Sequence, residues 1–272
     1  MSFIETKNKT RLFYQDWGTG KPVVFLHAWA MNSTMWEKHM LYFNDQNMRC
    51  IALDSRGHGR SDRDGAPYNY DSYAEEINEL IEYLDLMEVT FVGHSMGCGN
   101  IIRYLTQYSS KRISRMVLIA PPLPYLLKTE DNPHGVDFCC FEATREAILQ
   151  DFPNWLAVNG NDFYLPDNYP ISEAIITWTR EMILTTSLKA AIEGTHQVSE
   201  TDFRSELRDV TIPSLIIHGS ADASIPVHFG RMASGIIPNC IYKEYTGAPH
   251  GIFLTHFETL TQDILNFIQT NS

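Results

Sequence analysis

Apolar positions recur along this chain in two alternating rhythms. Short runs with strand character cover Arg11–Trp17, Pro22–Leu26, Met48–Leu53, Met87–Val92, Arg115–Ala120, Ser214–His218 and Ile241–Tyr245. Segments with helical spacing fall between them. Ser33–Asn44 places Met35, Trp36, Met40 and Phe43 on one face. Asp71–Leu86 does the same with Ile77, Leu80, Ile81 and Leu84, and Ser72-Tyr73-Ala74-Glu75 reads as a capping box at its start. Ile101, Ile102, Leu105 and Tyr108 mark a further helix, and Val227–Gly235 and Phe257–Gln269 complete the series. Gly18-Thr19-Gly20 reads as a turn, and Pro121-Pro122 stops a strand. Strands that alternate with helices need crossover connections, so the pattern predicts a largely parallel sheet with helices on both faces.

The rhythm breaks once. Between Leu123 and Val210 there is no buried strand, only helical and aromatic segments carrying Phe138, Phe141, Phe152, Trp155, Phe163, Tyr164 and Trp178. This predicts an α/β core built from residues 1–121 and 211–272, with residues 122–210 inserted as helices. The insertion should lie over the C-terminal edge of the sheet, where open α/β sheets bind their ligands.

Composition narrows the picture. A chain of 272 residues with 44% hydrophobic and 20% charged residues can bury the core of one globular domain. The net charge of −12 repels nucleic acid and anionic membrane surfaces and mildly favours neutral or cationic ligands. Five cysteines, an odd number without a C-x-x-C spacing, predict free thiols in a reducing compartment. The N-terminus lacks the apolar stretch of a secretory signal, and no run approaches the ~18 apolar residues of a membrane span. These features predict a cytoplasmic protein. Repeats and low-complexity tracts are absent from the sequence.

The candidate chemistry starts at Gly93-His94-Ser95-Met96-Gly97. This G-x-S-x-G follows a strand pattern and precedes a helical one, the context of a nucleophile elbow. A serine hydroxyl is a weak nucleophile and needs a base, which in turn needs an orienting acid. Asp222 lies just past the strand Ser214–His218, and His250 lies in Gly247-Ala248-Pro249-His250-Gly251 after the last strand. Both therefore fall on the same sheet edge as Ser95, in the chain order Ser, Asp, His. Asp222 also fits an ordinary turn. Asp202 and Asp209 are weaker rivals because they precede the strand, and His256 is a rival at the start of the last helix. An oxyanion needs two backbone donors. The N–H of Met96 is one candidate, and the N–H of Trp29, in His27-Ala28-Trp29-Ala30 after Pro22–Leu26, is the other. Trp29, Phe138, Trp155, Trp178 and Ile225 are the candidate substrate-binding side chains. Asp54-Ser55-Arg56-Gly57-His58-Gly59-Arg60-Ser61 is glycine-rich but matches no phosphate-binding spacing, so Asp54 and Arg56 are expected to pin neighbouring loops. The scattered histidines form no metal-ligand spacing, and neither a metal nor a cofactor is expected.

With these residues in view, the chain resembles the α/β-hydrolases, and within them the cofactor-free haloperoxidase and arylesterase group. Beyond the elbow, the resemblance rests on Asp16-Trp17-Gly18-Thr19-Gly20-Lys21-Pro22, Asp54–Asp62, Ser187-Leu188-Lys189-Ala190, Glu200-Thr201-Asp202-Phe203-Arg204 and Ala248-Pro249-His250-Gly251. It implies a mostly parallel eight-stranded sheet and a helical cap over the site. It also implies Ser95 as nucleophile, His250 as base, Asp222 as acid, and Trp29 and Met96 as oxyanion donors. Two positions depart from the family pattern. His27-Ala28 stands where His-Gly is usual, and its methyl is expected to tighten the oxyanion loop. His94 stands where haloperoxidase-like members carry Phe, which weighs against halide oxidation.

The implied activity is hydrolysis of small, neutral, apolar carboxylic esters or lactones, N-acyl homoserine lactones among them, through an acyl-enzyme. Perhydrolysis by the same triad is one alternative, and a non-enzymatic ligand receptor on the same fold is another. A monomer and a homodimer both fit the sequence.

Overall fold

The computed structural model describes residues 2–270. One eight-stranded sheet runs through it in the order β1-β2-β4-β3-β5-β6-β7-β8. Ser2–Glu5 (β1) and Arg11–Trp17 (β2) form an antiparallel hairpin at one edge. Lys21–Leu26 (β3) is followed by a 3-10 turn over Ser33–Trp36, helix α1 (Glu37–Asp45) and β4 (Met48–Leu53). Helix α2 (Tyr70–Tyr83) leads to β5 (Val89–His94), α3 (Met96–Tyr108) and β6 (Ile113–Ile119). Pairing is antiparallel from β1 to β2 and from β2 to β4, and parallel across the rest.

Four helices follow before the sheet resumes: α4 (Phe138–Tyr164), α5 (Glu173–Leu184), α6 (Leu188–Glu200) and the short α7 (Arg204–Arg208). Helix α4 is broken at Asp151, where φ is −159° and ψ 83°, two residues before Pro153. A proline inside a helix removes one hydrogen bond and crowds the preceding turn, which accounts for the kink. Strand β7 (Ser214–Gly219), α8 (His228–Ile236), β8 (Cys240–Tyr245), α9 (Ile252–Thr255) and α10 (Phe257–Gln269) complete the chain.

The strands alternate their side chains between two cores. Val24, Leu26, Phe91, Met116, Leu118 and Ile216 face one way, toward α2 and α3. Val23, Phe25, Val92, Val117, Ile119 and Ile217 face the other, toward α1 and α10. Burial on both faces explains why β5 and β7 read as continuous apolar runs.

Element boundaries shift locally, and one strand has no hydrophobic signal. Helix α2 begins at Tyr70, and Asn69 caps it by accepting from the Ser72 N–H at 2.9 Å, so Ser72 lies inside the first turn instead of capping. Strand β5 starts two residues later than its hydrophobic pattern, since Met87 is exposed, and it runs on through Gly93 and His94. Strand β1 carries only Phe3 and Ile4 as apolar residues, too few to signal a strand by themselves.

The loop after β4 clamps its surroundings. The Asp54 carboxylate accepts from the Ser33 N–H at 2.7 Å and the Arg60 N–H at 2.8 Å. Arg56 pairs with Glu76 at 2.9 Å and donates to the Pro67 carbonyl at 3.1 Å. All five cysteines are free thiols. Among the described residues no helix is long and apolar enough to cross a membrane.

Candidate active site

The turn from β5 into α3 puts Ser95 at φ 53°, ψ −119°. This is a disfavoured region for any residue with a side chain, so the surroundings must hold it. The Ser95 N–H donates to the Ile119 carbonyl on β6 at 2.9 Å, which ties the tip of the turn to the sheet. A Cβ at Gly97 would stand 2.5 Å from the Leu26 carbonyl oxygen and 2.9 Å from that of His27; one at Gly93 would meet the Gly97 backbone at 2.8 Å. These neighbours are main-chain atoms that cannot swing away. Gly97→Ala is therefore expected to destabilise the fold by about 1–3 kcal/mol, the usual range for overpacking, read as a lower urea midpoint.

Helix α3 starts directly after Ser95, so its first N–H, that of Met96, has no partner within the helix. The Trp29 N–H, on the loop after β3, likewise has no acceptor among the described residues. Free amides at a helix start favour negative charge.

His250 follows β8, and its Nδ1–H donates to Asp222 Oδ2 at 2.6 Å. The other Asp222 oxygen accepts from the Ser224 and Ile225 N–H groups at 2.9 and 2.8 Å. His218 Nε2 lies 2.9 Å from the Ile225 carbonyl and 3.3 Å from Asp222 Oδ2. Burial raises the Asp222 pKa, but the charges and hydrogen bonds of His250 and His218 outweigh it. The carboxyl is held well below the usual carboxylate range. Asp222 is thus an ionised, fully engaged acceptor behind His250.

His94 sits beneath this pair. Its Nε2 lies 2.9 Å from the His250 carbonyl oxygen and so carries the proton that bridges them. Its ring centroid is 4.8 Å from that of His250. Burial, reinforced by repulsion from His250, lowers its pKa to about 3, so His94 is neutral at physiological pH. This link between the elbow strand and the histidine loop had no sequence signal beyond the departure at position 94.

Ser95 and His250 both open on one cavity of about 380 Å³ under α4, α5 and α6. Of the candidate binding side chains, Trp29, Trp155 and Ile225 line it. Phe138 and Trp178 do not. Phe138 shares a helix face with Phe141 but stands one turn earlier, where half of it reaches solvent. Trp178 is on α5, whose cavity face carries Ile176, Thr179 and Ile183; two residues along a helix turn a side chain to the opposite side. Leu156, Ile176 and Ile183 also line the cavity, with Phe163 from the aromatic set of the insertion. Their apolar helical spacing reads the same whether it faces a core or a cavity. The rival residues lie elsewhere: Asp202 is paired with Arg204 at 2.7 Å, and His256 rests on Thr255, Tyr169 and Tyr245. Among the described residues no cluster of His, Cys, Asp or Glu could hold a metal ion.

Known proteins are similar to this chain in sequence and fold. A family model described as the α/β hydrolase fold matches residues 21–257. A non-heme haloperoxidase of Rhodococcus erythropolis is 35% identical over 99% of this chain and 100% of its own length. A bifunctional esterase/perhydrolase of Acinetobacter calcoaceticus is 33% identical, again over 99% of this chain and 100% of its own length. The solved structure of an esterase from Exiguobacterium antarcticum superposes with a TM-score of 0.94 at 28% identity, covering 99% of both chains. With a fold match across most of the chain and relatives this similar end to end, the protein belongs to the α/β-hydrolase fold family, in its haloperoxidase/esterase group.

Proposed function

We propose that this protein is a serine hydrolase of apolar carboxylic esters and lactones that works through an acyl-enzyme on Ser95. One observation carries the reading. The strained elbow serine shares an apolar cavity with a histidine whose far ring nitrogen is held at 2.6 Å by a buried, ionised aspartate.

The proposed steps follow from the geometry. With Nδ1–H committed to Asp222, His250 keeps a basic Nε2 for the cavity side. It takes the Ser95 proton as Oγ attacks the carbonyl carbon. The tetrahedral oxyanion is held by the N–H groups of Met96 and Trp29, each worth on the order of 10²–10³ in rate. Protonated His250, stabilised by Asp222, gives its proton to the leaving alkoxide. A water then gives a proton to His250 as it attacks the acyl-enzyme, and the acid is released as His250 returns that proton to Ser95 Oγ.

Helices α4 to α6 act as a cap that supplies the apolar lining. This favours a neutral acyl or aryl group, and an N-acyl homoserine lactone suits the cavity by combining a small lactone head with an apolar tail. A panel of p-nitrophenyl esters and lactones of graded chain length tests the substrate class. We expect kcat/KM to rise with chain length from acetate to mid-length acyl groups. A fluorophosphonate should label Ser95 stoichiometrically; a labelled site anywhere else, or no label, sinks the mechanism. The names of the Rhodococcus and Acinetobacter relatives support a second reading, perhydrolysis, in which peroxide replaces water and the peracid oxidises halide. Halogenation in acetate with peroxide measures it directly.

A further inference from the structure

The loop that carries Trp29 has little support of its own. After β3, Ala28 is held by the His27 ring at 2.8 Å from its carbonyl and by the Met31 N–H at 3.1 Å from the same oxygen, whereas the Trp29 N–H and the Ala30 carbonyl make no bond within the loop. Ala30 takes φ 56° although it has a Cβ, a left-handed conformation that costs roughly 1–2 kcal/mol. Something outside the loop must hold it there.

That support comes from the inserted helices. The Thr186 hydroxyl, in the link between α5 and α6, donates to the Ala30 carbonyl at 2.6 Å, and both residues are buried. The Trp29 indole N–H donates to the Ala191 carbonyl on α6 at 2.8 Å. One turn further along α6, a Cβ at Gly194 would lie 3.0 Å from Trp29 Cδ1 and 3.5 Å from Met96 Sδ. The helix therefore packs on the side chains of both candidate oxyanion donors, and a methyl at position 194 would press on the Trp29 indole. Helix α6 is itself tied to the core, because the Ser187 N–H donates to the Gly57 carbonyl at 2.8 Å and the Tyr68 N–H to Glu193 at 2.7 Å.

We infer that the cap is the positioning device of the oxyanion hole. Thr186 fixes the Ala30 peptide, and the Ala191–Gly194 turn fixes the Trp29 indole; together they aim the Trp29 N–H at the reacting carbonyl. Both are positioning residues, since neither Thr186 nor Gly194 touches the reacting atoms. The inference rests on the acyl-enzyme reading above.

Thr186→Val keeps the shape and removes the hydroxyl; Thr186→Ser keeps the hydroxyl. With p-nitrophenyl butyrate and the full chain, Thr186→Val should lower kcat about tenfold to a hundredfold, part of the effect of losing one oxyanion donor outright. KM should stay within about twofold, because the ground-state ester draws little from this donor. An alkylboronic acid, whose tetrahedral adduct on Ser95 places an oxygen in the hole, should bind more weakly by a similar factor. Thr186→Ser should stay close to the parent in both. Unchanged kcat in Thr186→Val, a loss confined to KM, or a serine variant as poor as the valine one would overturn the inference. If Thr186→Val does not fold, Gly194→Ala must give the same joint loss of kcat and boronate affinity, and an unaffected Gly194→Ala overturns it. Fluorophosphonate separates the two levels. No label on the parent protein refutes the acyl-enzyme reading and the inference with it, whereas full label with unaltered variants refutes the inference alone.

Discussion

Ser95→Ala should hydrolyse p-nitrophenyl esters at least ~10⁴-fold more slowly than the parent, with the fold intact. In the proposed mechanism the hydroxyl supplies the attacking oxygen and His250 takes its proton, so alanine removes the nucleophile itself. What survives is water attack helped by the oxyanion donors and by substrate binding. Stability should change little: the serine side chain caps no helix, and alanine accepts the same φ of 53° at the same strain. His250→Ala should lose a comparable amount, and the double variant hardly more than either alone, because the two residues act as one unit. The measurement is kcat on one ester for all three variants, with urea melts alongside. Retained turnover in Ser95→Ala, or losses that multiply in the double variant, would refute the shared mechanism.

Acid should unfold this protein steeply between about pH 6 and pH 4. His39, His58 and His94 are fully buried, and burial lowers each pKa from 6.5 to about 3. The sign follows from proton counting. Below pH 6.5 the unfolded chain takes up protons that the folded chain refuses, so stability falls as the pH falls, by up to about 1.4 kcal/mol per pH unit for each histidine. Glu76 opposes one of the three. Burial, only partly offset by Arg56, raises its pKa from 4.5 to about 7, so between those values the folded state holds the extra proton. Among these four groups two net protons remain, which is about 3 kcal/mol per pH unit near pH 5, and His27, whose pKa burial also lowers, acts in the same direction. Asp222 adds its own loss below its ordinary pKa of 3.8, since its folded carboxyl resists protonation. Against a typical stability of about 5–15 kcal/mol, one to two pH units suffice to matter. His39 offers the cleanest check. Neither of its ring nitrogens has a partner, and its ring lies against Trp36 and Phe257. His39→Leu should flatten the slope by about one proton and raise stability at pH 5 relative to the parent. A urea midpoint that stays constant from pH 7.5 to 5 would contradict the argument.

Much of the fold was legible because burial on both faces of a sheet leaves continuous apolar strands, and one-sided helices leave a period of 3.6. Arg11–Trp17, Met48–Leu53 and Phe257–Gln269 carry their patterns to the observed ends. Other boundaries depended on neighbours. Asn69 and Ser72 are both good capping residues, and the turn before α2 decided for Asn69. The candidate catalytic residues were readable for a topological reason. Ser95, Asp222 and His250 each follow a parallel strand, and the ends of parallel strands share one edge.

The sequence by itself determined the alternation of strands and helices, the strained elbow at Ser95 and the chain order of its candidate partners. These features rest on local spacing and on residue types that few conformations tolerate. Only the tertiary structure decided that Trp155 and Ile225 line the cavity while Phe138 and Trp178 do not, that His94 bridges to the His250 loop, and that α6 holds the Trp29 loop. Apolar residues at helical spacing read the same in a sequence whether their face packs on a core or lines a cavity. A hydrogen bond such as Thr186 to Ala30, 156 residues apart in the chain, exists only once the helices are packed.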